Sequence, residues 1–253
     1  MVNTDRLRQI TDAVREAGSL GVGDLAALTG ASEMTIRRDL ETLAAQGVLE
    51  RFRGGARSLL VRGEEPPFAL RAQEGVEAKR RIAADVAALI ADGETVVLDS
   101  GTTCLEVAMA LRGRRITVLP LSLPAVNALA DGPGRTALLV PGGRPRPGEG
   151  ALTGPLTLAS LAALRFDTAV VGCCGLTAEQ GLTAYDLDDA AVKQAAIRAA
   201  QRTVAVADGA KLSRTAHAFV APAGALHTLV TDAAAPRSEI AALGAAGVAV
   251  RTV

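Results

Sequence analysis

The chain has 253 residues, of which 49% are hydrophobic and 2% aromatic, and its formal net charge at pH 7 is zero. Its length allows substantial buried cores and predicts two domains. The zero net charge excludes a generally basic nucleic-acid coat. The few aromatic residues, with no tryptophan, argue against recognition of single strands by base stacking.

No apolar run is long enough to span a bilayer, and no basic and apolar signal region opens the chain. The three cysteines, Cys104, Cys173 and Cys174, have neither the spacing of metal ligands nor the even number of a disulfide framework. We therefore expect a soluble, cytoplasmic protein in a reducing compartment, with no membrane partner, no metal site and no cofactor.

The amino-terminal part of the chain contains three segments with apolar residues at helical spacing. These apolar positions are Leu7, Ile10 and Val14, then Val22 and Leu25, then Ile36, Leu40 and Leu43. A turn at residues 29–31 separates the second segment from the third, and Ser32 is suited to cap the third helix. Helix, short helix, turn and helix is the layout of a helix-turn-helix domain.

The third helix carries side chains suited to DNA on the side opposite its apolar face. At about 100° per residue, Met34 and Arg38 project from that side, with Thr35 and Arg37 on its flanks. Residues 48–57 then predict a β-hairpin wing. The candidate DNA contacts are Ser32, Met34, Thr35, Arg37 and Arg38 of the helix, and Arg51, Arg53 and Arg57 of the wing. A plain three-helix bundle with solvated arginines is the alternative.

Residues 32–40, Ser-Glu-Met-Thr-Ile-Arg-Arg-Asp-Leu, resemble the Ser-x-x-Thr-Ile-Arg-Arg-Asp-Leu motif of the DeoR family of bacterial repressors. The resemblance implies a winged helix-turn-helix over residues 3–58 that binds double-stranded operator DNA. Arg53 stands where the family usually has histidine, a change that keeps a phosphate donor and could alter operator preference. Because one such domain reads few base pairs, we expect a homo-dimer or a higher homo-oligomer.

Residues 59–74 are predicted to be a linker, because the Gly-Glu-Glu-Pro-Pro segment at 63–67 cannot continue a helix or a central strand. After it, a predicted helix at 78–90 is followed by short β-rich segments that alternate with alanine-rich helical segments. The predicted strands are 95–98, 116–119, 137–140, 168–171, 203–206, 228–230 and 248–250. The predicted helices are 103–111, 122–130, 154–164, 189–201 and 236–246.

This alternation predicts a Rossmann-like parallel α/β domain over residues 75–253, with helices on both faces of the sheet. Such sheets bind ligands at the carboxyl ends of their strands, where the strand order reverses. Residues 99–103, Asp-Ser-Gly-Thr-Thr, follow the first strand and suit an anion, although an ordinary helix cap is equally compatible. Arg144 and Arg146 follow the third strand, with a surface loop as the alternative. The Gly-Cys-Cys-Gly segment at 172–175 is interpreted as a tight strand exit with packing cysteines.

Lysine is rare in this chain, which favours arginine, and occurs only as Lys79, Lys193 and Lys211. Such scarcity suggests that lysine is kept where a compact ammonium group is needed, although three residues cannot exclude chance. Segments from Pro67 to Lys211, among them residues 79–83, 99–103, 122–124 and 181–183, also resemble the DeoR sensor domain, which shares its fold with ribose-5-phosphate isomerase and glucosamine-6-phosphate deaminase. Departures from the family pattern are Leu121 for asparagine, Asp189 for glutamate, and the cysteine pair.

The sensor resemblance implies that residues 75–253 sense an effector and oligomerise, and that a phosphorylated sugar controls DNA binding. Its phosphate is expected on the turn after the first strand, under two basic residues, with acidic residues and a lysine facing the sugar. The candidate effector contacts are Ser100, Gly101, Thr102, Thr103, Arg146, Asp167, Asp186, Lys193 and Lys211.

The sequence therefore predicts a DNA-binding regulator, in particular a repressor, of sugar or carbohydrate metabolism genes. The alternative is a sugar-phosphate isomerase or deaminase-like enzyme with a DNA-binding extension, in which Asp167, Asp186, Asp189 and Lys193 would shuttle protons. The related enzymes use an acidic loop after the fourth strand, whereas residues 172–175 contain no carboxylate. We therefore predict that the protein is not an enzyme.

Overall fold

The computed structural model describes residues 3–45, 48–58, 66, 68–132 and 134–253. The chain divides into two compact units, Met1–Glu74 and Gly75–Val253. Among the described residues, no helix is both long and apolar enough to cross a membrane.

The first unit combines helices with a three-stranded antiparallel sheet. Its elements are α1 (Asn3–Ala17), β1 (Ser19–Gly21), α2 (Val22–Thr29), α3 (Glu33–Ala45), β2 (Leu49–Phe52), β3 (Gly55–Ser58) and α4 (Phe68–Arg71). The predicted hairpin is present as β2 and β3, and β1 pairs with the other edge of β3. The strand β1 was not predicted, because three residues are too few to show an alternating pattern.

The apolar stripes predicted for the first three helices meet in one core, where they are buried together with Val48, Leu49 and Ala56 of the wing. Leu70 of α4 belongs to the same core. The carboxyl-terminal part of the predicted linker therefore differs from the prediction. Residues 68–71 form a short helix, and Leu70 packs in the core of the first unit. Residues 59–65 and 67 of that predicted linker lie outside the described residues.

The second unit alternates strands and helices. Its helices are α5 (Val76–Leu89), α6 (Thr102–Ala110), α7 (Leu123–Ala130), α8 (Pro155–Ala163), α9 (Leu187–Ala199) and α10 (Arg237–Ala245), with short 3₁₀ turns at Gly209–Lys211 and Ala223–Ala225. Its strands are β4 (Thr95–Leu98), β5 (Thr117–Pro120), β6 (Ala137–Leu138), β7 (Arg144–Pro145), β8 (Leu152–Thr153), β9 (Phe166–Gly172), β10 (Gly175–Thr177), β11 (Gly181–Ala184), β12 (Ala200–Val206), β13 (Ala218–Ala221), β14 (Thr228–Thr231) and β15 (Ala249–Thr252).

Seven of these strands form one parallel sheet in the order β15-β14-β12-β9-β4-β5-β6. Successive residues of a strand point to opposite faces, so Val96 and Leu98 pack in one core and Val97 in the other. Residues of α5, α6 and α7 belong to the first core, and residues of α8, α9 and α10 to the second. The predicted parallel α/β sheet, covered by helices on both faces, is confirmed.

The strand order reverses between β4 and β9. From β4 the chain proceeds outward to β5 and β6, and it then crosses to β9 and proceeds outward on the other side. The carboxyl ends of β4 and β9 therefore form the crevice in which sheets of this kind bind ligands. A small antiparallel sheet, β10-β11-β13, and the hairpin of β7 and β8 were not predicted.

Candidate DNA-binding surface and effector site

Ser32 immediately precedes α3 and caps it. Its Oγ atom accepts a hydrogen bond from the backbone amide of Thr35 at 3.3 Å and lies 2.9 Å from the Thr35 hydroxyl. The cap satisfies one of the amides that a helix leaves unpaired in its first turn. The predicted start of the helix is therefore confirmed, and the Ser32 and Thr35 hydroxyls lie together at the start of α3.

The two faces of α3 are those that the sequence predicts. Ile36, Leu40 and Leu43 are buried, whereas Met34 is 64% exposed and Arg38 is exposed on the opposite side. An exposed arginine beside an exposed hydroxyl cap is the arrangement with which a recognition helix reads base edges.

Asp39 is buried within α3 and binds Arg6 of α1. Its Oδ2 atom lies 2.6 Å from Arg6 Nε, and its Oδ1 atom lies 3.2 Å from Arg6 Nη2. The hydrogen bond to Asp39 raises the pKa of the Arg6 guanidinium above its ordinary value. This two-pronged pair holds α3 against α1. No role was predicted for Asp39, although its position beside the apolar face of α3 is visible in the sequence.

Three of the candidate arginines form ion pairs with glutamates. Arg37 binds Glu33 at 3.1 Å, Arg51 binds Glu41 at 2.9 Å, and Arg57 binds Glu50 at 2.7 Å. Arg38 and Arg53 are exposed, and neither has an acidic partner within the described residues. The predicted surface thus contains two kinds of arginine.

In the second unit, the turn after β4 opens α6 at the crevice between β4 and β9. Gly101 has a φ of +99°, a backbone conformation that residues with a side chain rarely adopt. A Cβ atom built at this position would have no neighbouring atom within 4 Å. Thr102 and Thr103 form the first turn of α6, whose amides have no partner within the helix. The turn therefore combines open space with unpaired donors, as an anion site requires.

Directly before that turn lies a buried cluster of charges. Asp99 Oδ2 binds the ammonium group of Lys193 and accepts a hydrogen bond from Gly172 N at 2.9 Å. Lys193 also binds Asp189 at 3.3 Å, and Ser100 donates to Asp189 at 3.5 Å. The other Asp99 oxygen, Oδ1, is buried without a partner in the described structure.

Burial lowers the pKa of Lys193, but the carboxylates of Asp189 and Asp99 outweigh this effect and raise it well above its ordinary value. Burial raises the pKa of Asp99, against the opposing charge of Lys193. Lys193 therefore stays protonated. The expectation that Lys193 faces sugar hydroxyls is corrected, because its side chain is only 4% exposed and its ammonium is bound by two carboxylates.

Arg146 and Asp186, two of the predicted effector contacts, lie close together in the structure. Arg146 lies 3.8 Å from Asp186 and 3.3 Å from Glu149. Asp186 also caps α9 by accepting a hydrogen bond from Asp189 N at 2.8 Å. The neighbouring Arg144 lies 3.8 Å from Asp188, so the arginines after β6 contact the start of α9 through two adjacent ion pairs.

Asp167 was predicted to contact the effector, and this prediction is wrong. It lies at the beginning of β9, where its Oδ2 atom accepts hydrogen bonds from Thr95 N at 2.8 Å and Thr95 Oγ1 at 2.7 Å. These bonds lower the pKa of the carboxyl, and Thr95 is the first residue of β4. Asp167 is therefore at the amino edge of the parallel sheet, opposite the crevice.

Lys211 is half-buried at the end of the 3₁₀ turn that follows β12. Burial raises the pKa of the Cys173 thiol, and the nearby charge of Lys211 opposes that rise. Cys104 is buried, and its pKa is also raised by burial. Thiols in this state are poor nucleophiles, which supports packing roles. In the described part of the chain, no group of three or more His, Cys, Asp or Glu residues could hold a metal ion.

Comparison with known proteins assigns both units to one protein family. The model of the DeoR-like helix-turn-helix domain matches residues 6–60, and that of the DeoR C terminal sensor domain matches residues 74–233. The chain is 32% identical to an uncharacterized HTH-type transcriptional regulator, FruR, of Bacillus subtilis, over 92% of each chain. It is 30% identical to the glycerol-3-phosphate regulon repressor of Escherichia coli K12, over 94% of each chain.

Among solved structures, ribose 5-phosphate isomerase A from Methanocaldococcus jannaschii is similar over 55% of each chain, at 16% identity and a TM-score of 0.42. That likeness is too low to support an inference about function. The two family models follow each other along the chain, and they match the unit that carries the recognition helix and the unit that carries the switch-point crevice. The chain belongs to the DeoR family of DNA-binding transcriptional regulators.

Proposed function

We propose that this protein is a repressor of carbohydrate-metabolism genes whose binding to operator DNA is controlled by a phosphorylated sugar. The observation that supports control by an anion is the open turn at Gly101, which begins α6 at the point where the strand order reverses. The name of the Escherichia coli relative, a glycerol-3-phosphate regulon repressor, supports a small phosphorylated compound as the effector class.

In the proposed site, the phosphate binds the backbone amides of Gly101, Thr102 and Thr103 and the hydroxyl of the half-buried Thr103, while the buried Ser100 and Thr102 side chains line the turn from beneath. Arg146 and Lys211 approach the anion, and Asp186 accepts hydrogen bonds from sugar hydroxyls. Arg146 is paired at 3.3–3.8 Å with carboxylates of Glu149 and Asp186, at distances longer than a tight charged hydrogen bond. A phosphate is therefore able to replace those carboxylates as its partner.

The revised role of Lys193 is to hold the site together. By binding Asp99, Lys193 connects α9 to the residues that precede the turn at Gly101. Asp99 also accepts a hydrogen bond from Gly172 N, at the last residue of β9. Three elements that surround the crevice thus share one buried carboxylate. A change at the turn can shift α9 through this connection, which gives the effector a physical route to a second arrangement of the domain.

The same cluster argues against catalysis in this crevice. A lysine that remains protonated cannot act as a base, and the strand exit at residues 172–175 has no carboxylate. We therefore infer that the domain senses its ligand without converting it. The protein is inferred to act as a homo-dimer or higher oligomer on a two-fold operator, in the cytoplasm, where that DNA is found.

Isothermal titration calorimetry with a panel of sugar phosphates tests this proposal. We expect at least one phosphorylated compound to bind and its unphosphorylated form to bind far more weakly. Thr102→Asp places a negative charge at the first residue of α6, beside the amides that bind the phosphate, so effector binding should be lost while DNA binding remains. Unchanged effector affinity in this variant would place the phosphate site elsewhere.

A further inference from the structure

Three glutamates lie on the proposed DNA-binding surface, where phosphate groups would repel them. Glu33 is in the first turn of α3, Glu41 is farther along α3, and Glu50 is in β2. Each is bound to one candidate arginine. We propose that these glutamates form an acidic brake, a set of carboxylates that keeps the affinity for DNA of any sequence low. The inference rests on the proposed DNA-binding surface.

The three pairs are built differently but share one property. Arg37 and Glu33 are one helical turn apart, the Arg51–Glu41 pair joins the wing to α3, and Arg57 is the cross-strand neighbour of Glu50. Every side chain in these pairs is between 42% and 60% exposed. The arginines are therefore accessible to DNA, and each has a carboxylate within 3.1 Å.

A glutamate beside an arginine weakens a phosphate contact in two ways. The guanidinium must first break its ion pair with the carboxylate before it can bind a phosphate. The released carboxylate then lies close to the DNA phosphate backbone, which repels it. Non-specific affinity arises almost entirely from neutralised phosphates, so this surface loses affinity wherever a pair forms. Arg38 and Arg53 are not restrained in this way within the described structure.

The functional consequence is that binding depends more on contacts that read sequence. Genomic DNA offers an excess of competing non-specific sites, so a regulator gains from weak affinity for random sequence. The brake supplies this property within a domain whose arginine-rich surface would otherwise attract any duplex.

The test measures the affinity of the full-length protein for a random-sequence duplex by fluorescence anisotropy at several salt concentrations. Glu41→Gln and Glu50→Gln should each tighten binding by about two- to fivefold, the size expected for one exposed ion pair. The dependence of log K on log salt should become steeper, by up to about one unit for each arginine released. Thermal unfolding checks that the wing is intact, because Glu50 also pairs across the hairpin.

Asp12→Asn is the matched control, because Asp12 pairs with Arg8 on α1 at 3.7 Å, with both side chains exposed, and lies outside α3 and the wing. It removes the same charge and should change affinity much less. In an Arg51→Ala background, Glu41→Gln should tighten binding less than it does in the wild-type background, because only the direct repulsion between Glu41 and the phosphates is then relieved. Equal effects of Glu41→Gln and Asp12→Asn, or no effect of either glutamate variant, would overturn the brake while leaving DNA binding itself intact. Failure of the wild-type protein to bind any duplex would instead overturn the DNA-binding surface and the brake together.

Discussion

In the first unit, arginines and glutamates pair at the surface, whereas in the second unit a lysine and two aspartates are buried together. The Arg51–Glu41 pair is about half exposed, while the side chains of Lys193 and Asp99 are 4% and 1% exposed. Exposed pairs contribute little to stability because water and salt screen them. Breaking a buried pair leaves an uncompensated charge in the core and is strongly destabilising.

This difference separates two uses of charge in one chain. Arg37, Arg51 and Arg57 of the first unit can exchange a carboxylate for a phosphate at small cost, which suits a surface that binds and releases DNA. Lys193 cannot make such an exchange, so its role is to keep the elements around the crevice in place. Variants in both units test that separation.

Replacing the buried lysine should have the largest effect. Lys193→Met leaves Asp99 and Asp189 without their cation and should lower the free energy of unfolding by about 3–5 kcal/mol. Arg80→Met breaks an exposed pair with Glu77 at 3.0 Å and a longer contact with Glu106 at 3.7 Å in the same unit, and it should cost no more than about 1 kcal/mol because Arg80 itself is exposed. Urea unfolding can be followed by the fluorescence of Tyr185, the single tyrosine of the chain. Similar losses in both variants would remove the distinction between buried and exposed pairs.

Arg38→Ala should weaken operator binding by about 1–3 kcal/mol, the range for one specific base contact, and leave the fold intact. Arg37→Ala should have a smaller effect, because Glu33 already occupies its guanidinium. A gel-shift titration at fixed salt compares the two variants. Unchanged operator affinity in Arg38→Ala would reject the assignment of the exposed face of α3 to DNA.

The wing offers a finer comparison between a paired and an unpaired arginine. Arg53→Ala should make the salt dependence of binding shallower by about one unit, as expected when one phosphate contact is lost. Arg51→Ala should reduce it less, because Glu41 competes with the phosphate. Both losses should be similar on operator and random DNA. A loss confined to one operator would indicate direct base reading instead.

The smallest effect is expected at the amino edge of the sheet. Thr95→Val removes a hydroxyl that donates to Asp167 Oδ2 and accepts from Asp167 N, and it should cost about 0.5–1.5 kcal/mol at pH 7. Hydrogen bonds from Thr95 hold the pKa of Asp167 below its unfolded value of about 3.9. That stabilisation is complete above the unfolded pKa and is lost as pH falls through the folded pKa. The difference between wild type and Thr95→Val should therefore shrink below about pH 4 in urea unfolding, and a constant difference would contradict this origin.

Much of the fold follows from local sequence patterns. The faces of α3 follow from helical spacing, and the parallel sheet follows from the alternation of β-rich and alanine-rich segments. The strand β1 and the hairpin of β7 and β8 are too short to leave such a pattern. Among the ion pairs, Glu33 and Arg37 stand at the helical spacing that predicts a contact, whereas Glu41 and Arg51 meet only after the wing folds back.

The site was only partly predictable for the same reason. The turn at Gly101 is visible locally, but the bond between Asp99 and Lys193 joins residues 94 positions apart and depends on the strand order. Asp167 was assigned to the effector by family resemblance. Its position just before the predicted strand at 168–171 already indicated the amino edge of the sheet, since side chains that precede a parallel strand lie away from its carboxyl end.

Control of DNA binding by a phosphorylated sugar is tested most directly by measuring operator affinity with and without sugar phosphates. Fluorescence anisotropy of an operator duplex, titrated with protein in the presence of glycerol 3-phosphate and related compounds, reports the coupling free energy. We predict that at least one phosphorylated compound changes operator affinity by about fivefold or more. Its unphosphorylated form should have no such effect, and Thr102→Asp should bind the operator without responding. An operator affinity that no phosphorylated sugar changes, or that the unphosphorylated sugar changes equally, would contradict the account.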